Sequence, residues 1–122
     1  MNINTVAEAK IVTLAGVDLN VTTKTTIYTV PTGKTLIVTK VVIRNASASL
    51  TTANYALGFN ANADDVVTGA THTELTGSTL FSILNAKAGA IRGAAADVFG
   101  LKCSVAQGGA ATVTVDVFGY LF

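Results

Sequence analysis

Few residues in this chain have the chemistry to carry a reaction, and they are scattered. His72 is the sole histidine, so any Ser-His-Asp or Cys-His relay would have to run through it. No nucleophile motif surrounds Cys103 or any serine, and His72 reads as a solvated loop residue. Cys103, the sole cysteine, shares a strand face with Leu101 and Val105, while Lys102 points the other way. A thiol so placed is a small apolar core residue; a reactive one needs exposure and cationic neighbours. A lone cysteine also excludes an internal disulfide framework. Asn60, Asn62, Asp64 and Asp65 have something of the oxygen-ligand spacing of a calcium loop. The glycine and closing glutamate of that motif are missing, and the residues read as a turn whose Asn and Asp side chains bond their own backbone. Gly33-Lys34-Thr35 matches the end of a phosphate-binding loop, but the upstream glycine is absent and LIVTKVVI cannot continue as its helix. The expectation is a protein with no catalytic residue, cofactor or metal: not an enzyme.

The elements that hold these residues are strands. The clearest stretch is Thr25–Asn45, TTIYTVPTGKTLIVTKVVIRN. Its β-branched and aromatic residues suit a pleated sheet, and Pro31-Thr32-Gly33 suits a turn that ends in a left-handed residue, which predicts a β-hairpin. In the second arm, Ile37, Thr39, Val41 and Ile43 form the better core face. Leu36, Val38, Lys40, Val42 and Arg44 form the other. A second hairpin is predicted over Asp97–Ala106 and Ala110–Phe122, turning at Gln107-Gly108-Gly109. Here Val113, Val115, Val117 and Leu121 face inward, and Phe118, Tyr120 and Phe122 lie on the nominally outer side. Shorter strands are expected at Lys10–Leu14, at Val17–Thr22 beyond a break at Gly16, at Asn54–Asn60 (Tyr55, Leu57 and Phe59 inward), at Thr79–Leu84, and around Ala90–Ile91. Asn45–Thr52 reads as a loop, as does Asn60–Ser78, the longest weakly patterned stretch, within which Val66-Val67 is a candidate for local pairing.

Composition sets the class. The 122 residues are 50% hydrophobic but only 12% charged, with a net charge of +1. The charged share is about half the usual one, so much of the outside is Thr, Ala and Asn, or is covered by other subunits. A net charge this small leaves no electrostatic footprint for nucleic acid and no polybasic membrane patch. Mean hydropathy is +0.54, yet no uninterrupted apolar run reaches the roughly 18 residues of a spanning helix, and without Trp the aromatic girdles of a membrane barrel are not expected. MNINTVAEAK lacks the basic start and apolar core of a secretory signal, which points to folding in a reducing cytosol. The fold predicted is all-β: one antiparallel β-sandwich or jelly-roll domain over 1–122, of about eight short strands, with residues 1–7 as a loosely held or partner-reaching arm.

Two outer faces are too apolar for open water: Leu36, Val38 and Val42 on one strand, and Phe118, Tyr120 and Phe122 on the last. These six residues are the candidate interface. The segment YTVPTGKTLIVTKVVIRN, and the closing DVFGLKCSVAQGGAATVTVDVFGYLF, resemble a pattern in small structural proteins of tailed bacteriophages, in which an aromatic-Thr-Val-Pro-x-Gly-Lys turn leads into a valine/isoleucine strand ending in Asn. The resemblance implies a β-sandwich virion protein without an active site, a capsid decoration (cement) protein or a related head or tail accessory. The partners expected are further copies of itself, as a homotrimer, and the major capsid protein or other virion proteins, with no nucleic acid and no membrane. Its location would be the virion, after synthesis in the host cytoplasm. The alternative is a tail- or fibre-associated module that recognises a host glycan through Asn60–Ser78.

Overall fold

The computed structural model describes residues 7–87 and 93–122. Most of the N-terminal arm and the strand expected around Ala90–Ile91 lie outside the described residues. The described chain is all-β, in eight strands: β1 (Ala9–Asp18), β2 (Thr25–Thr29), β3 (Leu36–Arg44), β4 (Asn54–Gly58), β5 (Val67–Ala70), β6 (Phe81–Asn85), β7 (Val98–Val105) and β8 (Thr112–Leu121). They form two antiparallel sheets of four, ordered β1-β8-β3-β6 (sheet A) and β2-β7-β4-β5 (sheet B). The pairs β1·β8, β2·β7, β3·β6 and β4·β5 are all present. This is the jelly-roll order. The chain pairs as one long antiparallel ribbon folded at the β4–β5 turn, and the ribbon is wound so that successive strands, β4 and β5 excepted, alternate between sheets.

That winding corrects both predicted hairpins. β2 pairs with β7 in sheet B, whereas β3 pairs with β8 and β6 in sheet A. The Pro31–Lys34 turn is therefore an arch between sheets. Its local chemistry is as expected: Gly33 is left-handed (φ 76°), and the Lys34 N–H donates to the Pro31 carbonyl at 3.1 Å. Gln107-Gly108-Gly109 is likewise an arch, from β7 in sheet B to β8 in sheet A. Turn residues fix how tightly a chain reverses; they do not fix whether the returning strand pairs with its neighbour or crosses the core. Among the described residues the single hairpin between consecutive strands is β4–β5, where Val67 pairs with Leu57. This is the local pairing anticipated near Val66-Val67.

Bulges set which residues face inward. Gly16 (φ 68°) does not end a strand; it sits in a bulge between Leu14 and Val17 within a continuous β1. In β3 the register against β8 shifts between Val38 and Lys40, making Thr39 an extra residue. The inward set is therefore Leu36 and Val38 before the bulge, and Val41 and Ile43 after it, because one added residue flips the strand's alternation. A similar shift at Ser104 leaves Val105 exposed, where a simple alternation put it inside with Leu101 and Cys103. Side chains from both sheets meet in one hydrophobic cluster, with Tyr55, Leu57, Phe99 and Leu101 from sheet B opposite Leu36, Val41, Val115 and Val117 from sheet A. Phe59 packs edge-on against Phe99, with ring centroids 5.2 Å apart.

Two polar side chains fasten the ends of the sandwich. Lys24 Nζ donates to the carbonyls of Phe59, Asn60 and Val98 at 3.0–3.2 Å, tying the start of β2 to β4 and β7. Gln107 Oε1 accepts from the Thr52 and Ala53 N–H groups, and its Nε2 donates to the Ser49 carbonyl and Thr51 Oγ1. The 49–53 loop is thereby held against the β7–β8 arch.

Candidate interaction face

The outer face of sheet A is built in rows, because cross-strand partners share a face. One row joins Thr13, Asp116, Val42 and Ile83; the next joins Thr114, Arg44 and Phe81. Towards the other end lie Lys10, Phe118, Lys40 and Asn85, then Tyr120 with Ile37. The most exposed large apolar side chains are on the edge strand β6: Phe81 (63%) and Ile83 (53%), with Leu80 beside them (42%). Val42, Ile37, Phe118 and Tyr120 are half-buried. A shallow depression of about 290 Å³ between Val42, Arg44, Leu80 and Phe81 continues this apolar surface into the loop before β6.

Asp116, Arg44 and Lys40 on this face are each engaged by neighbouring groups. Asp116 is buried; its carboxylate accepts from Arg44 Nε at 2.7 Å and from Thr13 Oγ1 at 2.6 Å. The hydrogen bond from Arg44, reinforced by Thr13 against the opposing effect of burial, holds that carboxyl below its ordinary value. Lys40 Nζ lies 5.1 Å from the centroid of the Phe118 ring, a cation–π distance, and 3.6 Å from Glu8 Oε1.

Of the six residues expected at an interface, Phe118, Tyr120 and Phe122 are half-exposed, and Phe118 and Tyr120 share the outer face with Val42. Leu36 and Val38 are corrected: both are fully or almost fully buried in the sandwich core (0% and 3%), because the Thr39 bulge reverses the phase of β3 between them and Val42. Sequence reasoning passed over Phe81, Ile83 and Leu80. The available signal was that Thr79–Leu84 is apolar at both parities, Leu80 and Leu84 against Phe81 and Ile83, and a strand apolar on both sides needs a cover on both.

The remaining chemistry-bearing residues do not converge on one another. His72 is not a solvated loop residue. Its ring lies 4.9 Å from that of the fully buried Tyr55, Nδ1 is buried without a hydrogen-bond partner, and burial lowers its pKa. Tyr55 Oη is also buried and unpartnered; burial, and secondarily the charge of Glu74, push its phenol up. Cys103 is buried as expected; its thiol donates to the Leu19 carbonyl at 3.7 Å, and burial pushes it up to about 11. In the acidic loop, Asp65 Oδ1 accepts from the Phe59 N–H at 2.7 Å, and Asp64 exchanges hydrogen bonds with the Asn60 side chain. The carboxylates thus serve the turn itself. A groove of about 230 Å³ on the outer face of sheet B has a floor of Ala56 and Gly69 and walls of Asn54, Asn62, Asp64 and Lys102. Among the described residues no three His, Cys, Asp or Glu come together as a metal site. No protein-family model and no curated protein matches the chain.

Proposed function

We propose that this is a structural protein of a tailed-bacteriophage virion, a decoration (cement) protein that binds the head shell as a homo-oligomer and reinforces it. One observation carries the reading: Leu80, Phe81 and Ile83 stand exposed beside Val42, on the face of sheet A that also carries Phe118 and Tyr120. Isolated surface apolar residues need no explanation, but a contiguous group of large ones marks a contact surface. The resemblance of Tyr28–Asn45 and Asp97–Phe122 to tailed-phage structural proteins supplies the kind of particle. The jelly roll is compatible with it, since that winding serves capsid, lectin and cupin proteins alike and so does not choose among them. The mechanism is repeated burial of the same apolar face at symmetry-related positions, where many weak contacts sum to a strong hold.

The test is to incubate the purified protein with expanded capsids of the phage and pellet them. Co-sedimentation and a higher capsid melting temperature are expected. Phe81→Ser with Ile83→Thr weakens binding at least tenfold while the protein's own melting temperature holds. A stable monomer that ignores capsids overturns the reading, as does a double variant that binds like the wild type.

A second reading, a fibre or tail module for a host-surface glycan, is favoured by the sheet B groove. Asn62, Asp64 and Gly69 of the Asn60–Ser78 segment line it together with Lys102 and Asn54, and its small-residue floor leaves room for a hydroxyl-rich ring among polar side chains. A glycan array probed at high protein concentration tests it: binding lost in Lys102→Ala supports the reading, and a blank array counts against it.

A further inference from the structure

A sandwich of two open sheets has four edge strands, here β1 and β6 in sheet A and β2 and β5 in sheet B. Unpaired edges invite other chains, and folded proteins blunt them with bulges, charges, prolines or very short strands. Three of these edges are blunted. β1 carries two register shifts, one at Ile11 and the other at the Gly16 bulge, together with the charge of Lys10; β2 shifts between Thr26 and Tyr28; β5 is four residues long and shifts against β4. β6 is not. Its register with β3 runs without a break from Phe81 to Asn85, and its sequence, FSILN, contains no charge, proline or glycine.

The free side of β6 is also fully defined. The Ala86 N–H donates to the Thr39 carbonyl at 3.0 Å, which makes Thr39·Ala86 a hydrogen-bonded pair. By the alternation of an antiparallel ladder, Ser82 and Leu84 then bond to β3, while the N–H and C=O groups of Phe81, Ile83 and Asn85 point away from it. Among the described residues no main-chain partner meets them. These three outward residues are symmetric about Ile83.

We propose that β6 is a homotypic pairing edge: two copies join antiparallel through β6 about a two-fold axis at Ile83, extending sheet A from four strands to eight. In that register Ile83 faces Ile83 of the second copy and Phe81 faces its Asn85, each pair exchanging two N–H···O bonds. The strand is uncharged, so the axis brings no like charges together. The exposed Phe81 and Ile83 of both copies then form one band across the joined outer face. A short ladder with this much apolar surface sits at the small end of stable interfaces, which places the affinity in roughly the micromolar class. The pairing stands independently of the virion reading, and it gives a two-fold, even-numbered assembly in place of the trimer expected from sequence.

Sedimentation equilibrium and charge-swap variants of the full chain test it. The wild type is expected to approach twice its 12.4 kDa mass at about 100 µM, well above a micromolar Kd. Phe81→Lys with Asn85→Lys places like charges opposite each other, and the mass falls to that of a monomer. Phe81→Lys with Asn85→Glu places opposite charges together only in the antiparallel register centred on Ile83, and the dimer returns. Ile83→Pro gives an independent check: it removes an N–H that β3 does not use, so the monomer's melting transition persists while association drops at least tenfold. A wild type that stays monomeric at every concentration, a three-copy mass, or a Lys/Glu variant as monomeric as the Lys/Lys one overturns the proposal.

Discussion

Gly119 lies in the central strand β8 where β1 and β3 both approach, and its replacement by alanine tests the packing of sheet A. A Cβ built at Gly119 falls 2.0 Å from the Ile37 carbonyl oxygen, 3.0 Å from the Ile37 carbonyl carbon and 3.1 Å from Val38 Cα. Ordinary contact begins at 3.4 Å, so β3 must withdraw by 3.4 − 2.0 = 1.4 Å. The obstacle is backbone, which has no rotamer to change. The adjoining ladder includes the Thr35·Phe122 pair, whose two bonds are 2.6 and 3.0 Å long, and the Ile37·Tyr120 pair. A retreat of that size breaks about four main-chain bonds at about 1 kcal/mol each, in line with the upper range for overpacking, and gives a loss of roughly 3–5 kcal/mol. At this chain length each kcal/mol moves the melting temperature by about 4 °C, so Gly119→Ala is expected to melt roughly 12–20 °C lower. Gly77→Ala is the matched control, because no atom lies within 4 Å of its Cβ position; it should stay within about 0.5 kcal/mol of the wild type. Differential scanning calorimetry of the two variants decides. A Gly119→Ala protein melting within about 3 °C of the wild type refutes the close approach of β8 and β3.

Tyr55→Phe removes a buried hydroxyl that has no partner, so chemical denaturation should show a higher midpoint at unchanged m, a gain of about 1 kcal/mol; a loss of that size would mean the hydroxyl is bonded. Gln107→Ala deletes the clamp on the 49–53 loop and leaves the Ala53 N–H unpaired, costing about 2 kcal/mol by the same denaturation. Acidification should reduce stability in two stages. The folded His72 pKa lies below its ordinary 6.5, so the unfolded chain binds the proton first and stability falls as pH drops from about 6.5 towards the lower folded value. The folded Asp116 pKa lies below 3.8, so its contribution is complete above that pH and is lost as pH falls from there through the folded value. His72→Phe should abolish the first decline and Asp116→Asn the second, with both read as midpoint against pH.

Strands were legible in the sequence wherever β-branched runs and period-two alternation coincide, as in Thr25–Val30 and Val113–Val117. Topology was not. The Pro31–Gly33 and Gln107–Gly109 turns have the same chemistry in an arch as in a hairpin, and the strands beside them find partners that are distant in sequence, such as Val98 for Thr29. Single-residue bulges at Thr39 and Ser104 were hidden for a related reason: they depend on a neighbour's register, and each reverses the inward face beyond it. Leu36 and Val38 were misplaced on that account, while Val42 lies beyond the Thr39 bulge and Phe118 and Tyr120 lie on β8, which carries no extra residue, so all three are on the outer side as read. Phe81 and Ile83 escaped notice because a five-residue strand with apolar residues at both parities looks the same whether its second face is covered by its own domain or by another molecule.

The measurement that bears most directly on the proposed role is a cryo-electron microscopy map of the virion in which we propose this chain sits. The expected map shows the two-sheet jelly roll on the head shell, with the face that carries Phe81, Ile83 and Phe118 turned into a protein contact. A particle without this chain, or one in which that face is open to solvent, would contradict the proposal.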